Sequence, residues 1–134
     1  MCRPGGVVRI TEPAWIVKSN SPALSRLYDL FLQAGHLFTL TSEGVTGNLA
    51  YLLHQHGLQQ VQTRAYTLEY HADTPEGQHY VETIRLFFRT ILPFLRKWAR
   101  VPADYETLYQ QMLSEIRQPD FVATWSLLTA WGNK

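Results

Sequence analysis

Three β-rich runs, each separated from the next by a pair of amphipathic helical segments, constrain this chain more than any other feature. A strand joined to the next through helices is a crossover. The usual right-handed crossover lays two such strands parallel in one sheet, and an antiparallel third strand is then a common finish. The first run, Val7-Val8-Arg9-Ile10-Thr11, follows the turn signal Arg3-Pro4-Gly5-Gly6. It is predicted to end at Glu12-Pro13, since proline cannot donate to a ladder. A loop through Trp15 and Lys18 leads to Ser21-Pro22, an N-cap with proline in the first helical position.

Apolar spacing predicts a helix over 22–38 (Leu24, Leu27, Tyr28, Phe31, Ala34) and another over 43–56 with Val45, Leu49, Leu52, Leu53 and His56 on one stripe. Gly57 stands where a left-handed cap would close that helix, with Leu58 placed to pack back on it. Gln59 to Tyr70 reads as the second strand, with Val61, Thr63, Ala65 and Thr67 on one face. A long helix over 76–99 should kink near 89–92, because Pro93 removes a hydrogen bond and crowds the preceding turn. Pro102-Ala103-Asp104 starts a further helix to about Arg117. Phe121 to Trp131 is the last strand, with Phe121, Ala123, Trp125, Leu127 and Trp131 on one face.

Composition fits one compact domain over 1–134: 46% of the residues are hydrophobic and 17% charged. Net charge is +1, which leaves no basic excess to neutralise phosphates, so nucleic acid is not the expected partner. No run approaches the ~18 uninterrupted apolar residues of a membrane span, and none resembles the apolar core of a signal peptide. The single cysteine, Cys2, excludes an internal disulfide and a multi-cysteine metal site, and a reducing, cytoplasmic setting is the default.

Taken in order, RPGGVVRITEP, the helix ending His56-Gly57-Leu58 before a strand, and the terminal FVATWSLLTAWGNK resemble the C-terminal half of a class I S-adenosylmethionine-dependent methyltransferase. The resemblance covers nearly the whole chain, with helical insertions at about 21–41 and 75–118. It implies an α/β fold with part of a Rossmann-like methyltransferase sheet: three strands, the last inserted antiparallel between the first two. It implies methyl transfer from S-adenosylmethionine to a small, apolar acceptor. The family's glycine-rich cofactor turn is missing: the sequence contains no G-x-G. The expectation is therefore a fragment, a truncation or a start assigned too late, carrying the substrate-side half and not binding the cofactor alone.

The resemblance places Glu12 and Trp15 at or just past the end of the first strand, where open α/β sheets gather ligands. Glu12 would orient or deprotonate the acceptor there, or stand in solvent as a strand-end carboxylate. Trp15 would wall the pocket, or pack beneath the following helix. Tyr28, Phe31 and His36 are the further substrate-binding candidates. The aromatic residues of the inserted helices (Phe38, Phe87, Phe88, Phe94, Trp98, Tyr105 and Tyr109 among them) either line an apolar acceptor pocket or fasten the helices to the sheet. His36 and His71 are candidate general bases or plain surface histidines. His54 and His56 are two apart and point to different helix faces, so no metal site is expected. Two other readings stay open: a non-catalytic, partner-binding remnant, and a small-ligand-binding α+β domain. The apolar edge 7–11 has no partner strand on one side, so self-association through it is expected.

Overall fold

A computed structural model describes residues 3–35 and 44–134, with side chains at all of these except 15, 16 and 44. Among them are three strands and five helices in the order β1 (Val7–Ser19), α1 (Pro22–Gly35), α2 (Gly44–Gln55), β2 (Gln59–His71), α3 (Pro75–Thr90), α4 (Leu92–Trp98), α5 (Tyr105–Glu115) and β3 (Val122–Asn133). The alternation expected from the sequence is observed, except that three helices rather than two join β2 to β3.

The strands form one sheet in the order β1-β3-β2. Lys134 donates to the Gly6 carbonyl at 2.8 Å, and Asn20 donates to Val122 at 3.3 Å, so β3 runs antiparallel to β1. Asn133 donates to the Gln60 side chain at 2.8 Å, and Ala72 donates to the Phe121 carbonyl at 3.1 Å, so β3 is also antiparallel to β2. The last strand in the chain is therefore the central one, as the resemblance implied.

Glu12-Pro13 does not end the first strand, and the loop expected through Trp15 and Lys18 is strand instead. Gly6 stands opposite Lys134 and Thr11 opposite Thr129, whose hydroxyls are 2.7 Å apart, in one unbroken register. From there to Asn20 and Val122, β1 uses two more residues than β3, as a bulged edge strand does. Pro13 lies in this stretch, and its carbonyl accepts the Thr46 hydroxyl at 3.0 Å. An edge strand has no ladder on one side, so a missing N–H there costs nothing. The register also makes Val8 and Ile10 face β3 with their peptide groups, and turns those of Val7, Arg9 and Thr11 outward.

The described residues fall into two compact units. One contains β1 up to Ala14, α2, β2 up to Leu68 and β3 from Ser126. Its core is Leu49 and Leu53 of α2 with Leu58 and Ala130, joined by Val8, Ile10, Val61 and Leu128. Val45, expected on the buried stripe, is 48% exposed, and His56 lies exposed beyond the helix end. Gly57 takes a φ of +80°; it donates to His54 at 3.0 Å while Leu58 donates to Leu53 at 3.1 Å. This pair of bonds is the left-handed helix cap expected from the sequence, and buried Leu58 closes it.

The other unit holds the larger core, built by α1, α3, α4 and α5 around Leu24, Leu27, Ile84, Phe88, Met112 and Ile116. Ser21 caps α1 by accepting the Leu24 N–H at 3.0 Å, and Thr74 caps α3 by accepting that of Gly77 at 3.0 Å. The expected kink before Pro93 is a break: α3 ends at Thr90 and α4 starts at Leu92. The helix expected from Pro102 starts later, at Tyr105, because residues 102–104 form a turn closed by Tyr105 donating to Pro102 at 3.2 Å. In this unit Phe121, just before β3, and Ala123 within it are buried, the odd positions as predicted. In the first unit Ala130 and partly buried Leu128 pack on α2, and Thr129, of the opposite parity, is buried as well. The odd positions keep one face as expected, but the buried face changes along the strand, because α2 packs on the even positions Leu128 and Ala130.

Candidate functional site

The break between α3 and α4 opens a groove of about 460 Å³ in the helical unit, lined by Phe31, Phe87, Thr90, Ile91 and Phe94. Pro93 supplies no N–H, so the helix stops at Ile91 and restarts, which offers Phe94 beside Phe87. Phe31 comes from α1 at helical spacing from buried Leu24, Leu27 and Tyr28. Its ring meets Phe87 edge-on, with centroids 5.4 Å apart. Behind the lining, Phe88 is fully buried, packing edge-on against Tyr28 at 5.2 Å and against Phe87 at 5.0 Å. The Thr90 hydroxyl is taken by its own helix, donating to Leu86 at 2.9 Å. The lining carries no titratable group. Such a groove can hold a small apolar or aromatic body by burial and ring contacts; it cannot itself move a proton.

The tyrosines behind the groove serve the fold. Tyr105 donates to the Phe88 carbonyl at 2.7 Å and Tyr109 to that of Arg85 at 2.9 Å, tying α5 to α3. Tyr28 is buried, which pushes its phenol up to about 12. Tyr80 is stacked on Tyr70 at 4.5 Å, and its phenol is pushed up further, by burial first and then by the Tyr28 hydroxyl beside it. Neither phenol ionises near neutral pH, so neither is a base. The Tyr80 oxygen is buried and forms no hydrogen bond of ordinary geometry.

Of the residues singled out from the sequence, Tyr28 and Phe31 come together in this unit, Phe31 in the groove and Tyr28 beneath it. Glu12 is not at a strand end: the longer β1 puts it mid-strand, half-buried and of the same parity as Val8 and Ile10. Trp15 belongs to β1, but its side chain lies outside the described residues, as His36 and Phe38 do altogether. His71 is exposed, with Nε2 2.6 Å from the Glu69 carboxylate. Trp98 is 37% exposed. Thr90 and Ile91 were not anticipated, although the signal that places them, Pro93, was legible.

A smaller cleft of about 270 Å³ sets Arg26, Asp29 and Arg100 around Leu30, Pro102 and Leu108. Among the described residues no three His, Cys, Asp or Glu side chains converge as metal ligands would, and no helix is long and apolar enough to cross a membrane. No protein-family model matches the sequence, and no curated protein matches it.

Proposed function

We propose that this chain forms the acceptor-side part of a class I S-adenosylmethionine-dependent methyltransferase and contributes to methyl transfer onto a small, apolar acceptor in a cytoplasmic setting. The observation that carries the reading is the strand order: the C-terminal strand is central and antiparallel to both neighbours, and the first strand is an edge. A Rossmann-like sheet that continued past β1 would add its cofactor-binding strands at that edge. S-adenosylmethionine is accordingly assigned to a segment docked against β1, since residues 1–134 contain no glycine-rich G-x-G turn.

Phe31 is the acceptor-binding residue that the geometry favours, with Phe87, Ile91 and Phe94 completing the groove. Catalysis would then rest on holding the acceptor in line with the sulfonium methyl, a contribution of positioning rather than of acid–base chemistry. Glu12, mid-strand, loses the strand-end position that suggested a role for it.

A second reading, a small-ligand-binding α+β domain, is favoured by one observation: both strand pairings are antiparallel, so the sheet has no adjacent parallel pair. Parallel titrations with a naphthol and with S-adenosylmethionine test the groove and the cofactor assignment. The methyltransferase reading expects the naphthol to bind, Phe87→Ala to weaken it, and the cofactor not to bind this chain alone. Tight cofactor binding by residues 1–134 overturns it. Absence of naphthol binding removes the groove from the site.

A further inference from the structure

In the β-rich unit, α2 packs against Val8, Ile10, Val61, Leu128 and Ala130. The alternate side chains of the same strands therefore point to the other face. There the Arg9 guanidinium lies over the Trp131 ring, 5.8 Å from its centroid, and donates to the Tyr66 hydroxyl at 3.4 Å. Arg64 lies over the Tyr66 ring at 5.0 Å. Arg9 and Arg64 are exposed, and Trp131 and Tyr66 half-buried. The four make one linked cluster of guanidinium groups and aromatic rings across all three strands. Val7, 61% exposed, and Leu68, 39% exposed, extend its apolar surface. Polar side chains on the same face, Gln60 bonded to Asn133 and Thr11 bonded to Thr129, carry no charge.

The near-neutral chain hides a charge separation. The described residues of this unit carry Arg3, Arg9, Arg64 and Lys134 against one side-chain carboxylate, Glu12. Glu12 has the parity of Val8 and Ile10, so it points away from the cluster. No other side-chain carboxylate among the described residues of this unit offsets the two arginines.

We propose that this sheet face binds single-stranded nucleic acid. Guanidinium and aromatic planes are the surfaces on which unpaired bases stack, and a three-stranded sheet with strands ~4.8 Å apart offers a platform wide enough for successive bases. Exposed Arg9 and Arg64 would contact phosphate from above the rings. Gln62, which faces Trp131 in the β2–β3 register, offers donor and acceptor to a base edge. A duplex presents no free base faces and gains only the phosphate contacts. The inference does not rest on the methyl-transfer reading, because it uses neither the groove nor the β1 edge.

The test is fluorescence anisotropy of a labelled short oligouridine titrated with the whole chain at low and moderate salt. Binding is expected, with a log–log salt slope of about −1.4 for two phosphate contacts. The double variant Arg9→Gln/Arg64→Gln should weaken it by about tenfold or more, with an unchanged circular dichroism spectrum. Trp131→Leu should weaken it also; should that variant fail to fold, the exposed double arginine variant still decides. No binding at low salt, or undiminished binding by the double variant, overturns the proposal. So does equal affinity for a duplex, for heparin or for anionic vesicles, since each would mean a generic polyanion or membrane surface rather than base stacking.

Discussion

The Glu115 carboxylate, on the last turn of α5, caps α1 from outside: its Oε2 accepts the Ser21 hydroxyl at 2.6 Å and the Ala23 N–H at 3.0 Å. Ser21 in turn accepts from Leu24, so two of the N–H groups left open at the start of α1 are satisfied by one short chain of bonds. Burial pushes this carboxyl up, but the bonds from Ser21, Ala23 and Gln111 outweigh it, and the pKa falls below the ordinary value. Glu115→Gln should cost about 1 kcal/mol at neutral pH, the usual scale for losing a charged cap. Because the folded pKa is depressed, the stabilisation is present above the ordinary carboxylate pKa and lost as pH falls through the folded value. Urea midpoints of the two proteins should therefore differ at pH 7 and converge in acid; a constant gap would mean that the charge plays no part.

Gly57 is held at φ +80°, with nothing within 4 Å of where a Cβ would stand. The objection to a side chain there is backbone strain rather than crowding. Gly57→Val should lower stability by roughly 1 kcal/mol or more, with Gly57→Asn milder, because asparagine tolerates the left-handed region. Equal midpoints for the glycine and valine proteins would contradict this cap.

Gly77 is the opposite case. Its φ is ordinary, but a Cβ would stand 1.7 Å from the His71 carbonyl oxygen and 2.4 Å from its carbon. Only glycine lets the first turn of α3 approach the end of β2 so closely. Gly77→Ala should cost about 2 kcal/mol or more, since backbone must move to relieve the clash. A thermal midpoint within a degree or two of the parent's would show that α3 can shift without loss.

The elements that were legible in the sequence are those fixed by local rules: the Ser21 cap, the Gly57 stop and the Pro93 break. What was not legible depends on neighbours. Pro13 reads as a strand terminator until β1 is known to be an edge with a bulge beside it, and the position of Glu12 changes with it. Val45 lies on the apolar stripe of α2 by spacing, yet the core it should join is small, and Leu49 and Leu53 with Leu58 already fill it. Glu115 reads as an ordinary polar helix residue, because its partner lies 94 positions away in the chain. Of the candidate site, the aromatic residues were visible as a set. Which of them line a groove and which are buried behind it follows from helix packing that no spacing encodes.

The outward edge of β1 should promote self-association. Val8, the natural place for a charge by sequence alone, packs in the core of the β-rich unit, so a lysine there would disturb folding. Val7, 61% exposed, is the better probe. Val7→Lys is expected to reduce association in sedimentation velocity while leaving the melting curve in place. A parent chain that stays monomeric at high concentration would oppose this expectation.

The proposal that the sheet continues past β1 in a complete methyltransferase requires that edge to be open, and amide hydrogen exchange tests this directly. In dilute protein, the amides of Val8 and Ile10, which face β3, should be protected. Those of Val7, Arg9 and Thr11, which point outward, should exchange at close to the rate of unstructured peptide. Protection of all five in a monomer would mean that the edge is already covered by the chain itself, and would contradict the account.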